Sequence, residues 1–215
     1  MAIIPGSAKV LNQYENVNTT YGGSKAMKAQ SKWYTMQDVE DTINANKPYK
    51  VFTALLTQSG GSVTEGRNST TGPLVVGTTY LISDDGGSGW DFTNVGAPNN
   101  DVGTYFIANG TTPNSWGIDG FLEVNTGAPV ATVLENTIGN IWFNYEDIGA
   151  YGCQSNDLFI DSKTFISSTP TGSGGSVSIV VTPFASVIYI SPLNNALNQI
   201  DNGLFNTPIE IRVYN

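Results

Sequence analysis

Two runs rich in β-branched and aromatic residues constrain the fold of this chain more than any other feature. They are residues 48–58, PYKVFTALLTQ, and residues 128–143, APVATVLENTIGNIWF. Both runs are bounded by Gly, Pro or Asn, a pattern that is typical of β-strands between turns. We predict that they belong to one β-domain and that the residues between them are an excursion from it.

Shorter runs of the same kind recur along the chain at the spacing of about 8–12 residues that sandwiches and barrels show. Charged residues make up only 13% of the sequence, which favours strands and turns over helices. The predicted fold is therefore all-β, a sandwich or jelly-roll-like module at 48–215 with a smaller β-module nested at 61–126. The closing run alternates, and we expect Ile209, Ile211 and Val213 to face the core. Strands are predicted at 49–57, 73–83 (with a bulge at Gly77), 104–108, 116–124, 131–134, 140–145, 157–166 (with a turn inside it), 178–182, 187–191 and 209–214, and a polar link at 59–72.

The first 47 residues have a different pattern. Residues 1–23 show no sustained periodicity and are predicted to form an extended arm that becomes ordered on binding. Thr35 resembles a helix N-cap followed by acidic residues, so a short helix is predicted at 35–45, ending before Pro48. Lys25, Lys28 and Lys32 have the spacing of one helical face. That face is either simply solvated or, with Trp33, a basic surface for attachment to an acidic partner.

Charge is divided unevenly along the chain. The first fifty residues hold six lysines and four carboxylates, a net charge of +2, whereas the remainder holds three cations and fourteen carboxylates, a net charge of −11. Because nucleic-acid affinity comes mostly from contacts between cations and phosphates, we expect no nucleic-acid partner. No apolar run approaches the roughly 18 residues that cross a bilayer, and MAIIPGSAKV does not resemble a signal peptide, so neither a membrane partner nor that route of secretion is expected.

The sequence offers little catalytic chemistry. It has no histidine and one cysteine, Cys153, which removes histidine-based triads, disulfides within the chain and multi-thiolate metal sites. We therefore expect a protein that is not an enzyme and that has no cofactor and no metal. Two alternatives stay open. Residues 84–91, DDGGSGWD, could wrap a calcium ion, and a carboxylate pair drawn from Glu123, Glu146, Asp147, Asp157 and Asp161 could hydrolyse a glycan.

Exposed aromatic rings on a β-protein can bind sugars or become buried between subunits. Trp90, Tyr105 and Trp116 lie in the excursion and are the candidates for an oligomer or ligand contact. Trp142 lies in the second of the two opening runs and is predicted to be a core residue.

Several stretches resemble a known group of proteins. Residues 91–120, DFTNVGAPNNDVGTYFIANGTTPNSWGIDG, resemble a small β-module found in many phage structural proteins. Residues 49–61 and 127–151, YKVFTALLTQSGG and GAPVATVLENTIGNIWFNYEDIGAY, resemble the two halves of another module, and the ending TPIEIRVYN resembles its last strand. These modules occur in fibre and appendage proteins of tailed phages of Bacteroidota, including crAss-like phages.

The resemblance implies a virion structural protein, such as a capsid-attached head fibre or decoration protein, on the exterior of a particle assembled in the host cytoplasm. It implies self-association, for which we expect a homotrimer or otherwise a homodimer, and attachment to capsid or other virion proteins through the N-terminal region. The alternatives are a tail-fibre or receptor-binding adhesin that binds host-surface glycans and, less in keeping with the residues, a capsule depolymerase.

Overall fold

The computed structural model describes residues 7–10, 32–35, 47–83, 87–118, 120–169, 178–184 and 187–215. Within these ranges the chain forms strands, turns and two single-turn 3-10 helices, so the all-β prediction is confirmed. It divides into two compact units, Met1–Pro48 and Tyr49–Asn215.

The first unit contains an antiparallel strand pair, β1 (Ser7–Val10) with β2 (Lys32–Thr35), in which Val10 lies opposite Lys32. The prediction of a helical face that reaches Lys32 is therefore wrong, because Lys32 and Trp33 are strand residues. Aromatic and β-branched residues in KWYT favour a strand once a partner strand is available. Lys25, Lys28 and the predicted helix after Thr35 lie outside the described residues.

The second unit is built on a pair of four-stranded antiparallel sheets. One sheet has the order β10 (Val130–Asn136), β3 (Tyr49–Thr57), β16 (Thr207–Tyr214) and β13 (Thr164–Ser168). The other has the order β11 (Ile141–Asp147), β12 (Ala150–Ser155), β15 (Val187–Leu193) and β14 (Ser178–Phe184). The two strand-rich runs, residues 48–58 and 128–143, thus include neighbouring strands, with Ala131 opposite Leu56.

The two sheets share one hydrophobic core, and together they form the sandwich. Alternate residues of β3, β15 and β16 point into it, as period-2 patterning requires. In β16 the predicted alternation is confirmed, because Ile209, Ile211 and Val213 are buried and the residues between them are not. The other core residues from described strands include Phe52, Ala54 and Leu56 of β3, Phe143 of β11, Tyr151 and Cys153 of β12, and Ile188 and Ile190 of β15.

The segment between β3 and β10, here called the insertion, has its own core. Its four-stranded sheet has the order β4 (Thr64–Arg67), β9 (Phe121–Asn125), β5 (Thr79–Ser83) and β7 (Tyr105–Ile107). A two-stranded ribbon, β6 (Ser88–Asp91) with β8 (Ser115–Ile118), and a 3-10 helix at Thr93–Val95 complete it. The largest buried side chains of this second core are Leu74, Tyr80, Ile82, Phe92, Phe106 and Leu122.

Some predicted strand limits differ from the observed ones. The strand predicted at 73–83 begins only at Thr79, because Gly77 has a φ of +87° and leaves the preceding valines in a loop. The strand predicted at 116–124 is divided into β8 and β9 by a turn in which the Gly120 amide donates to the Trp116 carbonyl (2.9 Å).

The insertion also covers one side of the sandwich, where β10 and β11 are edge strands. The Ala131 amide of β10 donates to the Gly77 carbonyl (2.9 Å), and the Phe143 amide of β11 donates to the Thr79 hydroxyl (3.0 Å). Because unpaired edge strands invite pairing with other chains, these contacts protect the sandwich at this side.

Candidate functional site

The polar residues of the 91–120 motif form an internal network around Asp91. The Asp91 carboxylate accepts hydrogen bonds from the Thr93 hydroxyl (2.6 Å) and amide (3.0 Å), from the Asn114 amide group (3.0 Å) and, more weakly, from Asn100 (3.3 Å). These bonds, those from Thr93 and Asn114 above all, hold the pKa of Asp91 well below its usual value. The carboxylate therefore stays ionised and fastens the 3-10 helix to the segment that precedes β8.

Two glycines of the same motif occupy positions that a side chain could not. Gly96 has a φ of +113°, and a Cβ there would lie 2.5 Å from the Ile107 carbonyl oxygen. Gly117 has a φ of +62°, and a Cβ there would lie 2.3 Å from the Ser88 carbonyl oxygen. The motif is therefore a set of residues that the fold of the insertion requires.

Trp90 and Trp116, predicted as contact residues, lie opposite each other in the ribbon of β6 and β8. The Trp90 indole donates to the Asn100 carbonyl (2.9 Å), and the Trp116 ring meets Phe92 edge to face with centroids 5.4 Å apart. Both rings are partly buried against the core of the insertion. They hold the ribbon on that core and offer only part of their surface to another molecule.

Tyr105 is the third predicted contact residue, and it joins the insertion to the sandwich. Its ring is 37% exposed and stacks on Trp142 of β11 at 5.4 Å and 9°. Trp142 is buried as predicted, although this contact places it on the side of β11 away from the Phe143 ring in the sandwich core. The structure thus brings Trp90 and Trp116 together and places Tyr105 in a different contact.

A carboxylate with two tyrosines lies near the turn between β11 and β12. Asp201 accepts hydrogen bonds from the hydroxyls of Tyr145 (3.0 Å) and Tyr151 (3.0 Å) and from the Gly149 amide (2.8 Å). Burial, together with the neighbouring Asp201 charge, raises the pKa of both tyrosines above its ordinary value. Because both Asp201 oxygens accept these hydrogen bonds, the carboxylate holds the loop before β16 against the hairpin of β11 and β12.

Three of the five acids suggested as a catalytic pair are used singly in the same manner. Glu123 accepts from the Ser83 hydroxyl (2.8 Å), Glu146 from the Asn144 amide group (2.7 Å) and Asp147 from the Ile148 amide (2.7 Å). Among the described residues no group of three or more His, Cys, Asp or Glu could hold a metal ion. Asp84, Asp85 and Gly86, which belong to the candidate calcium loop, lie outside the described residues.

Cys153 is a free cysteine that is completely buried in the sandwich core, where it behaves as a small apolar residue. Burial raises the pKa of its thiol far above the ordinary value, so it is a packing residue and a poor nucleophile.

Two clefts flank the contact between the insertion and the sandwich. The larger, about 550 Å³, has a mixed lining that includes the apolar residues Phe52, Val76, Ile107 and Val133 and the polar residues Asn109, Asn136 and Asn140. The smaller, about 250 Å³, is more polar and is lined in part by Glu123, Asn144 and Tyr105. Their volumes lie near or within the usual range of ligand sites, about 300–1,000 Å³.

A group of side chains that sequence patterning had not singled out lies on the outer face of β3, β16 and β13. The Arg212 guanidinium lies over the Tyr49 ring (4.8 Å to its centroid) and near the Phe165 ring (5.8 Å). Tyr214 contacts Tyr49 with ring centroids 5.4 Å apart. Phe165 is 49% exposed and Tyr214 39%. We call these four residues the aromatic–arginine patch. Alternation in 209–214 places Arg212 and Tyr214 on one face, but the sequence does not show that β3 and β13 flank them.

The chain matches no protein-family model, and neither a curated protein nor a solved structure is significantly similar to it. In the described part of the chain, no helix is long and apolar enough to cross a membrane.

Proposed function

We propose that this protein is a structural component of a phage particle, a head fibre or decoration protein that acts by binding other proteins and copies of itself. The observation that supports this most is the use made of the 91–120 motif. Its carboxylate, amides and glycines are used in internal hydrogen bonds and tight turns. A motif used in this way specifies the fold of a structural module. Residues 91–120 resemble such a module of phage structural proteins.

The division of the chain fits a role in which one unit attaches and the other projects. Residues 1–48 form a compact unit separate from 49–215 and include all but one of the lysines in the first fifty residues. We propose that this unit, through Lys25, Lys28, Lys32 and Trp33, binds capsid or other virion proteins. The acidic β-body then extends outward as a homotrimer or homodimer.

The proposal is tested with particles of the phage that encodes the chain. A version without residues 1–47 is produced beside the full-length chain, and both are quantified in gradient-purified particles. The truncated chain should fold, as circular dichroism would show, and should be absent from the particles that contain the full-length chain. Equal incorporation of both chains would contradict attachment through residues 1–47, and absence of the full-length chain would contradict the virion role.

A second candidate function, a receptor-binding adhesin, is favoured by the smaller cleft. A ring, a carboxylate and an amide (Tyr105, Glu123 and Asn144) line it together, a combination that suits a sugar. Glu123→Gln and Asn144→Ala are better probes of this function than Trp90→Ala or Trp116→Ala, because both indole rings support the core of the insertion. If the wild-type protein binds host cells and these two variants do not, the adhesin function is favoured.

A further inference from the structure

The outer face of the sheet that contains β3 and β16 carries few charges for a surface in contact with water. In the rows that cross its strands, Tyr214 lies beside Tyr49, Arg212 between Phe165 and Val51, and Pro208 beside Leu55. A solvated face of an antiparallel sheet usually shows mainly polar residues. The middle of this face is polar, with Glu210 between Ser167 and Thr53. The end at which β16 finishes instead presents the rings of Tyr49, Tyr214 and Phe165 around Arg212.

The arginine on this face is already paired within its own strand. Arg212 forms an ion pair with Glu210, and hydrogen bonds to Tyr214 and Glu210 raise the pKa of its guanidinium. The pair leaves the aromatic–arginine patch close to neutral. Tyr, Phe and Arg are also residue types enriched at the centres of protein interfaces.

The rest of the β-body is strongly acidic, whereas the aromatic–arginine patch is close to neutral. Beyond residue 50 the chain carries fourteen carboxylates and three cations, and two of those cations, Lys163 and Arg212, lie at the end of the sandwich where β16 finishes. Lys163 and Lys50 line a cleft of about 270 Å³ together with Asp157 and Tyr214. Two copies that approach by their acidic surfaces repel each other, and the cations at this end of the sandwich reduce that repulsion.

We propose that the aromatic–arginine patch is the surface through which copies of this chain bind each other. This inference rests on the proposed function, in which the body is a homo-oligomer, and it names the contact surface of that oligomer. At a twofold axis the same face of each copy meets, so the proposed contact brings Arg212 of one copy close to Glu210 of the other and buries the aromatic rings. Opposite charges two residues apart on one strand make the face complementary to itself.

The first experiment measures the mass of the full-length protein over a dilution series, by light scattering and sedimentation. Phe165→Glu should raise the dissociation constant at least about tenfold, because it places a like charge in the contact. Ile118→Glu is the matched control, since Ile118 is 70% exposed on β8 of the insertion, and its dissociation constant should equal that of the wild type. Thermal melts followed by circular dichroism establish that both variants are folded.

A second experiment separates pairing between copies from pairing within a copy. Arg212→Glu makes the face acidic and Glu210→Arg makes it basic, so each variant should self-associate more weakly than the wild type. An equimolar mixture of the two should recover the oligomer, because the acidic face of one copy then meets the basic face of the other.

A monomeric wild-type protein, an unchanged mass for Phe165→Glu, or a mixture no more associated than its components would overturn the proposal. These results are distinguishable from failure of the proposed function. If the chain is found in purified particles but the Phe165→Glu variant oligomerises normally, the virion role stands and this surface is not the contact. If the chain oligomerises through this face but is absent from particles, the contact surface stands and the virion role is wrong.

Discussion

Gln58 lies where the chain leaves the sandwich for the insertion, and its buried side chain connects three backbone segments. Its Nε2 donates to the carbonyls of Gly60 (2.6 Å) and Gly127 (3.2 Å), and its Oε1 accepts from the Asn202 amide (2.6 Å). The side chain is 3% exposed. Leucine has a similar size and none of these hydrogen bonds, so Gln58→Leu measures what the junction contributes to stability.

The expected loss follows from the fate of the three partners. A hydrogen bond within a protein contributes about 1 kcal/mol on average, and a buried partner left unsatisfied costs about 1–3 kcal/mol. The bond to Gly127 is buried, whereas those to Gly60 and Asn202 are partly buried and can be replaced in part by water. We expect the free energy of unfolding to fall by about 3 kcal/mol. At about 2–4 °C per kcal/mol for a domain of this size, Tm should fall by about 6–12 °C.

The assay is urea unfolding at one protein concentration, followed by tryptophan fluorescence and circular dichroism. Gln199→Leu is the control, because Gln199 is exposed and its Nε2 donates to the Ser191 hydroxyl (3.1 Å) near the surface. That variant should stay within about 0.5 kcal/mol of the wild type. If Gln58→Leu is as stable as Gln199→Leu, the reasoning about the junction is wrong.

Three further predictions concern the same body. Gly127→Ala should destabilise it by about 1–3 kcal/mol, since a Cβ there would lie 2.7 Å from the Gly61 backbone, whereas Gly61→Ala meets no atom within 4 Å and should change stability little in the same urea assay. The two tyrosines that bind Asp201 have raised pKa values, so the unfolded chain releases their protons first and stability should fall as pH rises above about 10, measured by urea unfolding at pH 8 and pH 11. The Cys153 thiol should react with a disulfide reagent only after denaturation; rapid labelling of the native protein would contradict its burial.

The parts of the fold that followed from sequence are those in which local pattern and burial agree. β3 was predicted at 49–57 and is observed at Tyr49–Thr57, because its aliphatic and aromatic residues suit a strand of the sandwich core. The buried alternation of β16 was predicted for the same reason.

Strands made of small or polar residues escaped prediction because tertiary contacts specify them. β12, AYGCQS, was missed although most of it is buried. Its Gly152 lies under the Asn144 side chain, whose oxygen would be 2.3 Å from a Cβ at that position, so a larger residue would displace Asn144. β4, TEGR, was predicted to be part of a polar link, and it is a strand because it pairs with β9 and the Phe121 ring lies over Gly66.

The sequence predicted which residue types form the candidate contact surfaces, but it did not predict where those residues lie in the fold. Interface residue types could be recognised in Trp90, Tyr105 and Trp116, but which face of each ring is already covered depends on Phe92, on Trp142 and on the fold of the insertion. The aromatic–arginine patch draws on strands that begin at residues 49, 164 and 207. Only the strand order brings them together, and no local pattern in the sequence records it.

The central claim is that the β-body stands on the outside of a virus particle. Antibodies raised against residues 49–215 and coupled to gold can be applied to intact purified particles and viewed by electron microscopy. We expect label at regular positions on the exterior of intact particles. Label that appears only after the particles are disrupted, or none on particles at all, would contradict it.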